Sequence, residues 1–200
     1  MMQQAVPAAG GISRLRGFIA GMTRLAEAGA DEARMLSEGR DLLAALVAVD
    51  DWLPDAFAQP HPQHYTQYLL HCDPLERFSV VSFVWGPGQR TPIHDHTVWG
   101  LIGMLRGAEE AELFDPGIPP RPTGREKLLP GMVDAVSPSI GDIHRVSNAL
   151  EDQVSISIHV YGANIGAVSR HVFDPATGAP KTFVSGYSND TLPNCWRMTG

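Results

Sequence analysis

Residues 154–161, VSISIHVY, alternate without a break between apolar and hydrogen-bonding side chains. Side chains at i and i+2 share a face of an extended strand. Val154, Ile156, Ile158 and Val160 therefore form one packing face, and Ser155, Ser157, His159 and Tyr161 the other. A helix cannot produce this pattern, so the chain has to accommodate a strand with one wholly apolar side. Two settings satisfy it: an antiparallel sheet whose polar face meets water, or a barrel that turns that face into a polar pocket. Alternation alone leaves both open.

The surroundings are of the same kind. FSVVSFVW (78–85), VWGLIGML (98–105), AELF (111–114), MVDAV (132–136) and KTFV (181–184) are short and rich in β-branched and aromatic residues. Glycine and proline bound them, with 20 Gly and 16 Pro scattered through 200 residues. Many short strands between such breaks predict an all-β sandwich or barrel over about 60–190. GIPPRPTG (117–124) reads as a loop, and no repeat or low-complexity tract occurs.

The first 55 residues differ. After a loose tail over residues 1–11, Ile12, Leu15, Ile19, Met22 and Leu25 recur at helical spacing up to about Ala28, weakened slightly by Gly17 and Gly21. Asp31 is placed to cap a second helix running to about Val49, with Met35, Leu42, Leu43, Leu46 and Val47 facing the core. Fifty residues are too few for a separate core, so the helical part is expected to cover the β body within a single domain, 1–200.

Bulk properties exclude some functions. A net charge of −7 disfavours nucleic acid and anionic membrane as partners. Cys72 and Cys195 form no CxxC pair, and nothing approaches the roughly 18 apolar residues of a membrane span. The N-terminus lacks the basic and apolar regions of a signal peptide, so a cytoplasmic protein is expected.

Eight histidines supply the chemistry. His94 and His96, in PIHDHT, stand two apart, so on a strand both imidazoles can converge on one ion. Gly86, Gly88, Gly100, Gly103 and Gly107 supply the tight turns that bring strands close to an ion. A stable site needs a third donor; His144 is the best candidate, and His159 competes. No carboxylate has a claim: Asp95 lies on the opposite face, and Glu109 and Glu110 follow Gly107, past the end of the strand. Three neutral imidazoles would leave a dipositive charge uncompensated and ready for an anion such as a thiolate. Iron, copper, zinc and nickel all suit such a set, so a zinc site activating water is an alternative.

Gly88, five residues, His94-x-His96 and then Gly107, with His144 downstream, follow the two cupin motifs. PIHDHT, IHRV around His144 and SIHVY around His159 resemble more closely the thiol dioxygenases, the cysteine dioxygenase family, over roughly residues 60–190. The resemblance implies a cupin jelly-roll barrel holding Fe(II) on His94, His96 and His144. It also implies that Ser157, His159 and Tyr161 form a hydrogen-bonded triad placing a tyrosine hydroxyl by the iron. The implied reaction adds both atoms of dioxygen to a small thiol to give a sulfinate.

Departures from the family pattern narrow the expectation. Gly100 stands where a cupin glutamate, or the cross-linking cysteine of animal cysteine dioxygenases, is found, so Tyr161 is expected to be unmodified. Gln67 stands where the animal enzymes carry a carboxylate-binding arginine, while Arg170 lies where they have a small residue. That pairing is similar to the bacterial 3-mercaptopropionate dioxygenases, with Arg170 gripping the substrate carboxylate and Gln67 lining the pocket. The bland alternatives are a surface ion pair from Arg170 to Asp174 or Glu151, and an exposed Gln67 on an edge strand. The expectation is a cupin thiol dioxygenase acting on 3-mercaptopropionate, with L-cysteine next. A zinc or nickel cupin hydrolase or isomerase, or a non-catalytic cupin binding a small anion, are the alternatives.

Overall fold

The computed structural model describes residues 11–196. Most of the expected tail, residues 1–10, lies outside them.

Two helices come first. α1 spans Ser13–Glu27 and buries Leu15, Phe18, Met22 and Leu25. α2 spans Glu32–Val47, and the Asp31 carboxylate accepts the Arg34 backbone N–H, satisfying one of the helix's free donors. Gly21 has a packing reason: a Cβ there would come within 2.9 Å of the Leu42 side chain on α2. A single-turn 3-10 helix, Asp55–Phe57, leads into the β body.

Among the described residues eleven strands follow, forming two antiparallel sheets. They are β1 Thr66–Cys72, β2 Ser79–Trp85, β3 Ile93–His94, β4 Gly100–Arg106, β5 Glu109–Asp115 and β6 Arg121–Leu128. Then come β7 Val133–Val136, β8 Ile143–Asn148, β9 Ser155–Tyr161, β10 Arg170–Phe173 and β11 Pro180–Phe183. One sheet runs β1-β2-β9-β4-β7, the other β11-β10-β3-β8-β5-β6. The architecture is the expected jelly roll of antiparallel strands. It is made of two sheets rather than one closed ring of hydrogen bonds.

β9 is the centre of the first sheet, and all seven of its residues are buried. Ile156, Ile158 and Val160 join the core shared with Leu15, Met22, Leu43 and Leu46 of the helices. The helices therefore cover the outer face of the sheet. α2 sits so close that a Cβ on Gly103 of β4 would lie 2.8 Å from Leu43. Tyr161 belongs instead to a second cluster inside, with Val81, Phe83 and Trp85. The polar face of β9 thus points between the sheets, and the solvent-facing alternative is excluded.

Two expectations are corrected. Residues 117–124 are not all loop: Arg121 opens β6, an almost wholly exposed strand paired with β5. Its alternation is hidden because both faces carry polar residues. The His94-x-His96 segment is only half strand, because β3 ends at His94.

Candidate metal centre

The sheet registers assemble the site. His94 on β3 lies directly opposite His144 on β8. His96 follows beyond the strand end, and the three rings pack with centroids 4.8–4.9 Å apart. All three are buried, and their ligating atoms lie within 4.8 Å of one another. His159, the competing third donor, is not in the cluster.

The outer nitrogens orient the rings. His94 Nδ1–H donates to the Pro92 carbonyl at 3.1 Å. His96 Nδ1–H donates to Asp142 Oδ1 at 2.9 Å. Both tautomers leave the Nε2 lone pair free for an ion. Asp142 also accepts the backbone N–H of His96 and of Thr97, which holds Thr97 at φ 60, a strained conformation for a β-branched residue. Burial raises the Asp142 carboxyl, but the His96 hydrogen bond and the two backbone donors outweigh it and leave its pKa below the ordinary value.

The chemistry of the donors fits a divalent metal. Burial, then the charge of neighbouring His96, pushes His94 down to about 3. Burial, then His94, His96 and His159, holds His144 well below the ordinary imidazole range. His94 and His144 are therefore neutral donors at pH 7. His144 Nδ1 is buried with no hydrogen-bond partner among the described residues, an orphaned atom of the kind a ligand would satisfy.

Beside the imidazoles lies the polar face of β9. Tyr161 stacks on His96 with centroids 5.4 Å apart. The Tyr161 hydroxyl is 2.8 Å from His159 Nδ1, and His159 Nε2 is 2.8 Å from the Ser157 hydroxyl. Burial raises the Tyr161 phenol, so it stays protonated. Gly100 pairs with Tyr161 across β4 and β9, and a Cβ there would sit 2.9 Å from the tyrosine ring. The glycine makes room for this tyrosine.

Arg170 reaches the same space. Val172 pairs with His94, and Arg170, two residues away on β10, shares its face. The side chain is 4% exposed, donates from Nη2 to Ser185 Oγ at 2.7 Å and lies over the Phe183 ring at 4.7 Å. Its Nε is buried and unpartnered, and no ion pair to Asp174 or Glu151 forms among the described residues. The surface alternative for Arg170 is therefore excluded. Gln67 sits on edge strand β1, as its bland alternative required, yet it also lines the cavity and donates Nε2–H to the Gly186 carbonyl at 2.7 Å. A cavity of about 240 Å³ gathers His94, His96, His144, His159, Tyr161, Gln67, Arg170, Tyr65 and Ser185.

Several residues here escaped the sequence reading. Asp142 stands two before His144, but its partner is 46 positions away. Asp95, opposite the histidines as expected, accepts both the backbone N–H and Nδ1–H of His171. It thereby extends the β3–β10 pairing and fixes where Arg170 falls. Glu109 was placed past the strand's end; it begins β5 and is buried.

Known proteins resemble this chain in sequence. The sequence is 29% identical to cysteine dioxygenase type 1 of Danio rerio over 153 residues, 70% of this chain and 72% of that protein. The chain is similar to the cysteine dioxygenases over most of its length. The corresponding proteins of Rattus norvegicus and Homo sapiens are 28% and 29% identical over 109 residues. Those matches span 51% of this chain and 52% of each mammalian protein. No family model matches the sequence. Among solved structures, a Klebsiella pneumoniae protein with a double-stranded β-helix domain aligns with TM-score 0.46 at 18% identity, covering 56% of this chain and 89% of its own. A cupin 2 conserved barrel domain protein of Rhodopseudomonas palustris aligns at 0.44 and 14%, covering 55% and 67%.

Proposed function

We propose that the protein is an Fe(II)-dependent thiol dioxygenase that converts a small thiol carboxylate, 3-mercaptopropionate before L-cysteine, to its sulfinate. Thiol to sulfinate is a four-electron oxidation, and dioxygen accepts four electrons, so no external reductant enters. Fe(II) on His94, His96 and His144 would supply the Lewis acidity that takes up a thiolate and the redox chemistry that reduces dioxygen.

The protein's own part is charge and position. Arg170 offers its unpaired guanidinium edge to the substrate carboxylate, held by Ser185 and the Phe183 ring. Gln67 lines the cavity wall, its side chain fixed by Gly186. With the carboxylate anchored there, the thiol is turned towards the three imidazoles, and orientation carries much of the rate. Tyr161 holds a hydroxyl beside His96, fixed by His159 and Ser157, where it can orient a second small ligand by hydrogen bonding.

The observation that carries the substrate preference is the charge inventory of the cavity. Its lining includes one buried guanidinium and no Asp or Glu. A thiol carboxylate finds its counter-charge there. The ammonium of cysteine or cysteamine finds none and would be desolvated without a partner. Oxygen uptake by anaerobically Fe(II)-loaded protein tests this, with 3-mercaptopropionate, L-cysteine and cysteamine in parallel. The expected order of kcat/KM is 3-mercaptopropionate, then L-cysteine, then cysteamine. Absence of uptake with all three would overturn the enzyme reading, and a cysteamine preference would overturn the role of Arg170.

A further inference from the structure

Glu109 is a buried carboxyl that the site as described does not use. It is 2% exposed, and its Oε1 has no hydrogen-bond partner among the described residues. It starts β5 opposite Asn148, whereas His144 pairs with Leu113 four residues on. The rung of Ala111 and Val146 lies between, so Glu109 stands on the order of 13 Å along the ladder from that histidine. What it does approach is the far end of the triad. The Ser157 hydroxyl and the Trp85 indole N–H lie beside the carboxyl and favour its ionised form. Trp85 Nε1 is itself 3.4 Å from Ser157 Oγ. On its other side Glu109 lines a second cavity, of about 440 Å³, which shares His144 and Val146 with the cavity of the three imidazoles.

We infer that Glu109 is a positioning residue that sets the direction of the hydrogen-bond chain Glu109–Ser157–His159–Tyr161, and with it whether Tyr161 presents a hydrogen or only an oxygen to the thiol site. The inference rests on the reading that Tyr161 serves that site. With Glu109 protonated, its O–H donates to Ser157, Ser157 donates to His159 Nε2, and His159 Nδ1–H donates to Tyr161, whose own hydrogen is then free for the site. With Glu109 ionised every bond reverses: Tyr161 donates to His159 Nδ1, His159 Nε2–H to Ser157, and Ser157 to the carboxylate. The second state holds one proton fewer, and that proton leaves through the second cavity.

Two further features support the arrangement. Burial pushes Glu109 up to about 8, so both states are reachable near neutrality. Glu109 and Tyr161 are also electrostatically coupled. The charged and titratable groups facing Glu109 are His159 behind Ser157, His144 along β8, and, around the cavity, Glu126 and Lys127 of β6, Asp134 of β7 and Arg40 of α2. The last four stand at the cavity wall and are exposed or half-buried, where solvent screens their charges.

The test is nitrogen NMR of the His159 ring in the full chain, loaded with zinc as a diamagnetic stand-in for iron and titrated across pH about 8. Wild type is expected to change from the Nδ1–H to the Nε2–H tautomer as pH rises, and Glu109→Gln to show no change. Ser157→Ala, which cuts the chain between the two groups, is expected to abolish the change as well. One tautomer throughout in wild type would overturn the inference, as would a change that persists in Glu109→Gln or Ser157→Ala. Oxygen uptake by the Fe(II)-loaded protein, measured alongside, speaks to the thiol dioxygenase reading independently of the tautomer.

Discussion

The two faces of β9 are made of the same backbone, yet they carry different tasks. Outward, Ile156, Ile158 and Val160 pack under α1 and α2 in an apolar core. Inward, Ser157, His159 and Tyr161 form a chain of 2.8 Å hydrogen bonds beside three imidazoles. The outer face gains from area removed from water, and loss there is repaid by no specific partner. The inner face is polar and buried, so each group must be matched or it costs free energy. A sheet covered by helices on one side lets the rigid face hold the reactive one in place, which is what a preorganised site requires.

This comparison predicts which changes unfold the protein and which only disarm it. The largest effect is expected for His144→Ala, which removes one of the three proposed metal donors: iron per chain, measured after Fe(II) loading and desalting, should fall to background while the circular dichroism spectrum is kept. Iron retained at wild-type levels would remove His144 from the donor set. Next, Ile158→Ala on the outer face should cost about 2–5 kcal/mol in denaturant unfolding, with metal content and turnover per folded molecule unchanged. A drop in turnover without a stability loss would break the division between the faces.

A smaller change is expected for Asp142→Asn. Weakening the contact that orients His96 should lower metal affinity about 10–100-fold in a chelator competition, with stability little altered. Smallest is Gly100→Ala. Its Cβ would meet the Tyr161 ring at 2.9 Å and Val136 at 3.0 Å, so it should cost about 1 kcal/mol as mild overpacking. It should also displace Tyr161 enough to reduce kcat more than metal content; equal losses in both would mean that the glycine serves the fold alone.

Legibility followed the same division. The period-2 pattern of VSISIHVY revealed both faces of β9, because apolar and polar residues there never exchange sides. Helical spacing found α1 and α2 to within a residue or two, and Asp31 as a cap was correct. β6 was not legible, since an exposed strand with polar residues on both faces has no apolar period to read. Nor was β3, which is two residues long and defined only by its partners. At the site, His94, His96 and His144 could be read from spacing and resemblance. Asp142, Ser185 and Glu109 could not, because their roles depend on contacts with residues distant in sequence. Arg170 lay between these cases: the sequence offered it a surface ion pair or a pocket, and the Val172–His94 register decides for the pocket.

The central claim is that a buried arginine selects thiols carrying a carboxylate. The most direct measurement compares wild type with Arg170→Ala on two substrates, 3-mercaptopropionate and a thiol alcohol of similar length that lacks the carboxylate. Loss of a charge-assisted contact worth about 1.5–3 kcal/mol should lower kcat/KM for 3-mercaptopropionate about 10–150-fold. It should leave the thiol alcohol and the iron content unchanged, so that the variant no longer distinguishes the two. If both substrates fell equally, or if neither changed, Arg170 would not be the carboxylate's partner and the account of substrate choice would be contradicted.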